Sequence, residues 1–120
     1  MNGTVLGRQP MVPVVIRLPG QPDFTIDFVV DTGYEGSLTL PLTAIMALGL
    51  SFDQQIIANF ADNRHSLVDA YVATIVWHGA ELDVPVLATG KRPLLGTMLL
   101  DGNDLAVRFA DGGSVIINKF

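Results

Sequence analysis

The chain has 120 residues, 49% of them hydrophobic and 16% charged, which is ample material for one core, too little charge for intrinsic disorder and too short for two domains. Its 12 acidic and 7 basic residues leave a net charge of −5, and the bases are scattered singly, which argues against a surface that tracks nucleic-acid phosphates. With no cysteine and two histidines, the sequence has no means of making a disulfide framework, a thiol nucleophile or a histidine metal cage, so no cofactor is expected and a cytoplasmic setting fits.

No membrane partner is expected either. The longest uncharged stretch, residues 36–52, contains Pro41 and Gly49 and falls short of the roughly 20 apolar residues a helix needs to cross a bilayer. Residues 1–10 lack the basic region and apolar block of a secretory signal.

Glycine and proline recur at short intervals between apolar runs, the punctuation of short strands. Residues 12–18 are rich in β-branched side chains and end at Pro19-Gly20-Gln21-Pro22, a turn signal. Residues 23–30 alternate, with Phe24, Ile26, Phe28 and Val30 on one face, and should complete a hairpin. A short strand over 37–40 leads into a helix over 41–48, with Pro41 in its first turn, Gly49 at its end, and Leu42, Ile45, Met46 and Leu48 on its buried side. Residues 54–60 and 67–77 have strand composition around the turn residues 61–64. Further strands are expected over 81–88, 105–109 and 114–118, with one helical turn over 97–100 and a tight turn at Asp111-Gly112-Gly113. The fold expected is a single all-β domain over residues 1–120, a closed barrel with one or two short helices, since closure leaves few unpaired strand edges.

The informative segment is Asp31-Thr32-Gly33. A carboxylate directly after the apolar run 28–30 is costly to desolvate, so it is either capped by hydrogen bonds or used in chemistry. Taken alone, Asp-Thr-Gly also suits a structural turn. A second segment, Leu94-Leu95-Gly96, follows some sixty residues later and leads into the helical turn. Together the two resemble the retropepsin-like aspartic proteases, in which an Asp-Thr-Gly loop at a strand end is backed by a later hydrophobic-hydrophobic-Gly element. The run from Asp31 to Pro41, Asp-Thr-Gly-aromatic-x-Gly-x-Leu-Thr-Leu-Pro, is similar to that of the small prokaryotic members of that clan.

The resemblance implies an aspartic endopeptidase. Peptide hydrolysis without a metal or a nucleophilic side chain needs one carboxylate to take a proton from water and another, protonated, to polarise the carbonyl. One chain carries one such loop, so the resemblance implies a homodimer in which two copies of Asp31 meet across a two-fold axis, acting on peptide or unfolded protein. Thr32 would bond across to the partner loop, Gly33 would offer its amide to Asp31, and Leu94, Leu95 and Gly96 would support the loop from beneath. The hairpin over 56–72 would act as a flap, giving Phe60, Ala61, Asp62 and Asn63, together with Tyr34, as substrate-binding residues. Tyr71 suits the flap base or the barrel core.

Three departures from the family pattern bear on activity: the bulk of Tyr34, the charge of Glu35, and Thr97 where a charged or amide residue is common. Tyr34 and Glu35 motivate a second reading, a non-catalytic dimer serving as a peptide-binding or assembly module. If termini interleave between subunits as in retropepsins, residues 114–118 are a candidate interface strand, and an ordinary barrel strand is equally consistent. Other candidates are poorer. No serine sits in a Gly-x-Ser-x-Gly elbow, His65 and His78 are expected on the solvated surface, and residues 101–104 read as a loop and cap rather than a calcium site.

Overall fold

The computed structural model describes residues 1–59 and 65–120. Ten strands and two short helices follow in chain order: β1 (Asn2–Leu6), β2 (Gln9–Arg17), β3 (Phe24–Val30), β4 (Leu38–Leu40), α1 (Leu42–Leu48), β5 (Ser51–Asn59), β6 (His65–Trp77), β7 (Ala80–Ala88), β8 (Leu94–Leu95), α2 (Thr97–Leu100), β9 (Asn103–Val107) and β10 (Ser114–Lys119). The expected hairpins form. β2 and β3 pair antiparallel across the proline-flanked turn, and β5 pairs antiparallel with β6; a further hairpin, not expected, takes β6 into β7 through His78 and Gly79. Both turn residues have positive φ, 50° and 79°, the left-handed geometry whose twist matches a two-residue hairpin.

The strands lie side by side in the order β5-β6-β7-β4-β8-β3-β2-β1-β10-β9, and β2 also pairs with β6. That extra pairing, Val15 with Val76 through Arg17 with Thr74, closes β2, β3, β8, β4, β7 and β6 into a ring. Inside it the two-residue period holds: Val12, Val14 and Ile16 of β2, Phe28 and Val30 of β3, and Ile75 of β6 are buried. Outside the ring, β5 extends one end of the sheet and β1, β10 and β9 extend the other. Among the described residues no helix is long and apolar enough to cross a membrane.

Some expectations need correction. On α1 only Ile45 is buried, while Leu42 and Met46 are 49% and 60% exposed. The helix touches the ring through a narrow arc of Ala44, Ile45 and Leu48, and at 100° per residue Leu42 and Met46 fall on its outer flank. Phe24 and Phe109 are exposed because each sits just where pairing ends. His78 is half-buried rather than solvated, its Nε2 lying 2.6 Å from Asn103 Oδ1. Asn103 Nδ2 in turn donates to the carbonyls of Leu99 and Asp101, which makes residues 101–104 a cap. Tyr71 is a core residue, with Phe52 edge-on at 5.6 Å. β10 is hydrogen-bonded on both sides within the chain, by β1 and β9, so it offers no free edge to a second subunit.

Candidate active site

Asp31 stands where β3 leaves the ring. β3 runs parallel to β8, Val29 beside Leu94 and Val30 beside Leu95, and β8 runs antiparallel to β4. The two-residue strand β8 is therefore wedged between the strands that enter and leave the loop over 31–37. The Asp31 N–H donates to the Leu95 carbonyl at 2.9 Å, and the Tyr34 N–H donates to the Asp31 carbonyl at 3.2 Å. The Gly33 N–H donates to Asp31 Oδ1 at 2.9 Å, which orients the half-buried carboxylate locally. A Cβ on Gly33 would press on that same oxygen at 3.2 Å.

The loop is fastened from beneath by Gly96 and the two residues that follow it. Gly96 N–H bonds the Ser37 carbonyl at 2.8 Å, Thr97 N–H the Tyr34 carbonyl at 2.8 Å, and Met98 N–H the Gly36 carbonyl at 3.2 Å. Thr97 Oγ1 also donates to the Tyr34 carbonyl. Only glycine fits at 96, because a Cβ there would sit inside contact distance of the Gly36 and Tyr34 carbonyl oxygens. Leu95 is fully buried below the loop, and Leu94 is held where its N–H donates to the buried Thr39 Oγ1 at 3.2 Å.

Above Asp31 opens a cavity of about 750 Å³. Asp31 is the only carboxylate among its described lining residues, with exposed Thr32 beside it and Val29 and Leu94 on its floor. The Thr32 hydroxyl has no hydrogen-bond partner among the described residues. Leu105 and Val107 of β9, Phe109, Gln9 and Pro10 build the walls, and Arg92 supplies their one positive charge. Sequence reasoning did not assign these six to the site. Arg92 was within reach of it, two residues before Leu94, whereas Leu105 and Val107 reach Asp31 only through the long-range pairing of β10 with β1.

Tyr34 points elsewhere. Its ring packs against a small cluster of Val68, Ala70 and Leu87, with Ile56 and Ala58 of β5 alongside. Burial pushes its hydroxyl pKa up to about 12. It lies over Gly36, where a Cβ would strike the ring, and neither it nor the exposed Glu35 lines the cavity. Phe60, Ala61, Asp62 and Asn63 lie outside the described residues. Among the described residues no group of three or more His, Asp or Glu could hold a metal ion.

No protein-family model matches the sequence, and no curated protein matches it. Among solved structures the chain is similar to the EIAV protease in complex with an inhibitor, at 17% identity and a TM-score of 0.58 over 79% of this chain and 88% of that one. It is also similar to a retropepsin-like aspartic protease from Rickettsia conorii, at 18% identity and a TM-score of 0.57, covering 99% of this chain and 93% of that one. The chain therefore has the fold of the retropepsin-like aspartic proteases, as the Asp-Thr-Gly and Leu-Leu-Gly segments imply.

Proposed function

We propose that the protein is one half of a homodimeric aspartic endopeptidase in which Asp31 meets Asp31 of a second copy. One observation carries this reading. A carboxylate oriented by the Gly33 amide opens into a cavity with no second carboxylate among its described lining, and acid–base hydrolysis of an amide needs two. In the assembled pair one ionised carboxylate takes a proton from water while the other, protonated, donates a hydrogen bond to the scissile carbonyl. The resulting tetrahedral intermediate collapses as the amine leaves with a proton. Thr32 bonds to the partner loop and keeps the two carboxylates coplanar. The walls formed by Leu94, Leu105, Val107 and Phe109 take apolar side chains of an extended peptide, and Arg92 favours an acidic residue beside them. The non-catalytic reading rested on Tyr34 and Glu35, neither of which lines the cavity.

The test compares wild type with Asp31→Asn on an unfolded protein between pH about 4 and 7, the interval around and above the ordinary carboxyl pKa. Cleavage is expected to fall at least about 100-fold in the variant. Equal cleavage by both would remove Asp31 from the chemistry.

A further inference from the structure

We propose that His78 and Asn103 are positioning residues: together they fasten the start of β9 to the closed ring, and so hold Leu105 and Val107 in place as the far wall of the cavity over Asp31. This deepens the peptidase reading above and rests on it. β9 is a strand in need of such a fastening. It comes last in the sheet order, and among the described residues β10 alone pairs with it. A strand held along one side tilts or frays at little cost, and a wall made of it moves with it. Asn103, its first residue, supplies a second point of attachment. Its contact with His78, 25 residues away, is the one hydrogen bond among the described residues between β9 and the ring.

The chemistry of the pair sets its direction. Asn103 Nδ2 donates to the Leu99 and Asp101 carbonyls at 3.3 and 3.0 Å, so the amide presents its oxygen to His78. The imidazole Nε2, 2.6 Å from that oxygen, must then carry the proton. The same asparagine caps carbonyls at the end of α2, whose first residues clamp the loop over 31–37. One amide thus joins the β6–β7 turn, α2 and β9.

The backbone at 78 points to the ring, not the turn, as the reason for histidine. His78 and Gly79 have φ of 50° and 79°, a geometry that asparagine followed by glycine fills with least strain. Histidine holds left-handed backbone less readily than either, so the turn gains nothing from it. What histidine adds is reach, since its Nε2 extends to Asn103 where the shorter asparagine side chain stops. The Trp77 ring, edge-on at 5.2 Å, and the bond from the His78 N–H to Met1 Sδ at 3.5 Å hold the turn and its imidazole in place.

That difference in reach makes the test. His78→Asn keeps the turn and severs the bond, whereas His78→Gln carries an amide nitrogen to about the place of Nε2 and restores a donor. Amide hydrogen exchange reads the fastening without any catalysis. Asp104 and Ala106 direct their N–H groups to β10, in phase with the bonds from Arg108 to Ser114 and from Phe120 to Gly102. In His78→Asn these two amides are expected to exchange at least about tenfold faster, with the Ile117 amide, bonded to Met1, unchanged and His78→Gln close to wild type. On a peptide with large apolar side chains beside the scissile bond, His78→Asn is expected to raise KM about tenfold, the scale of one methylene of lost apolar contact. It should leave kcat within about twofold, because the wall binds and does not react. Unchanged exchange at Asp104 and Ala106 overturns the fastening whatever the enzyme does. Faster exchange with an unaltered KM, or a glutamine variant no better than the asparagine one, overturns the positioning role and leaves the peptidase reading intact. Wild-type cleavage that does not depend on Asp31 overturns the peptidase reading and the wall's substrate role with it, while the exchange result still decides the fastening.

Discussion

Gly96→Ala tests whether the Leu-Leu-Gly segment holds the loop over 31–37 in place. The added Cβ meets backbone, the Gly36 and Tyr34 carbonyl oxygens, as well as the Tyr34 ring with its Cδ2 at 2.6 Å. A flexible side-chain tip could swing away, but those two carbonyls also accept the N–H groups of Met98 and Thr97, so relief requires the loop to lift and lengthen both bonds. Overpacking against groups that cannot move costs about 2–3 kcal/mol, which for a domain of this size lowers Tm by about 8–12 °C. Gly102→Ala is the control. Nothing lies within 4 Å of a Cβ there, so its cost is the backbone strain of φ +78°, about 1 kcal/mol. Urea unfolding gives both values directly. In the peptidase reading the lifted loop also misplaces Asp31, and displacements near 1 Å cost about 100-fold in rate, so cleavage should drop well beyond the fraction unfolded. A Gly96→Ala protein within about 0.5 kcal/mol of wild type would refute the claim that residues 96–98 clamp the loop.

Thr39→Val keeps the buried shape but leaves the Leu94 N–H without its acceptor, and chemical denaturation is expected to show a loss of about 1–3 kcal/mol. Tyr34→Phe should be nearly neutral at pH 8, because the hydroxyl's contact with the Leu38 carbonyl is long, 3.5 Å. At higher pH the two proteins diverge. The folded state holds the Tyr34 proton more tightly, its pKa rising from 10.0 to about 12 because burial penalises the phenolate, so wild type matches Tyr34→Phe below pH 10 and loses stability relative to it as pH climbs toward 12. Two pH units correspond to about 2.7 kcal/mol, which solvent screening of a half-buried ring reduces to about 1 kcal/mol. Unfolding of both proteins at pH 8 and 11 checks it, and a constant gap between them would refute the burial argument. Arg92→Ala is expected to slow cleavage of peptides with an acidic residue beside the scissile bond by about 10-fold, the scale of one lost charged hydrogen bond, and to leave neutral peptides within about 2-fold.

What the sequence disclosed and what it withheld divide by range. Hairpins were legible because their signals are contiguous: proline-flanked Gly20, the Asp111-Gly112-Gly113 turn, the alternation through Phe28 and Val30. The helix was legible in extent but not in orientation, since its heptad-like pattern of Leu42, Ile45 and Met46 is satisfied equally by several rotations, and only the ring it packs on chooses the arc through Ala44, Ile45 and Leu48. The site splits the same way. Its floor is local, because Gly33 bonds Asp31 two residues away. Its far wall comes from Leu105 and Val107, brought in by a sheet order that no local pattern encodes.

Tyr34 shows how a motif can be read correctly and its geometry wrongly. Bulk after Asp-Thr-Gly suggests a side chain crowding the carboxylate, yet the ring turns back over residue 36, where glycine alone leaves it room. The aromatic-x-Gly spacing is thus a packing rule: the glycine vacates the space that the aromatic fills, and the aromatic joins Val68, Ala70 and Leu87 into a cluster beneath the β5–β6 hairpin. Its carbonyl meanwhile accepts both the amide and the hydroxyl of Thr97, so the residue that seals the cluster also anchors α2. Thr97, a departure when judged by the amide or charged residue common there, is spent inside its own chain.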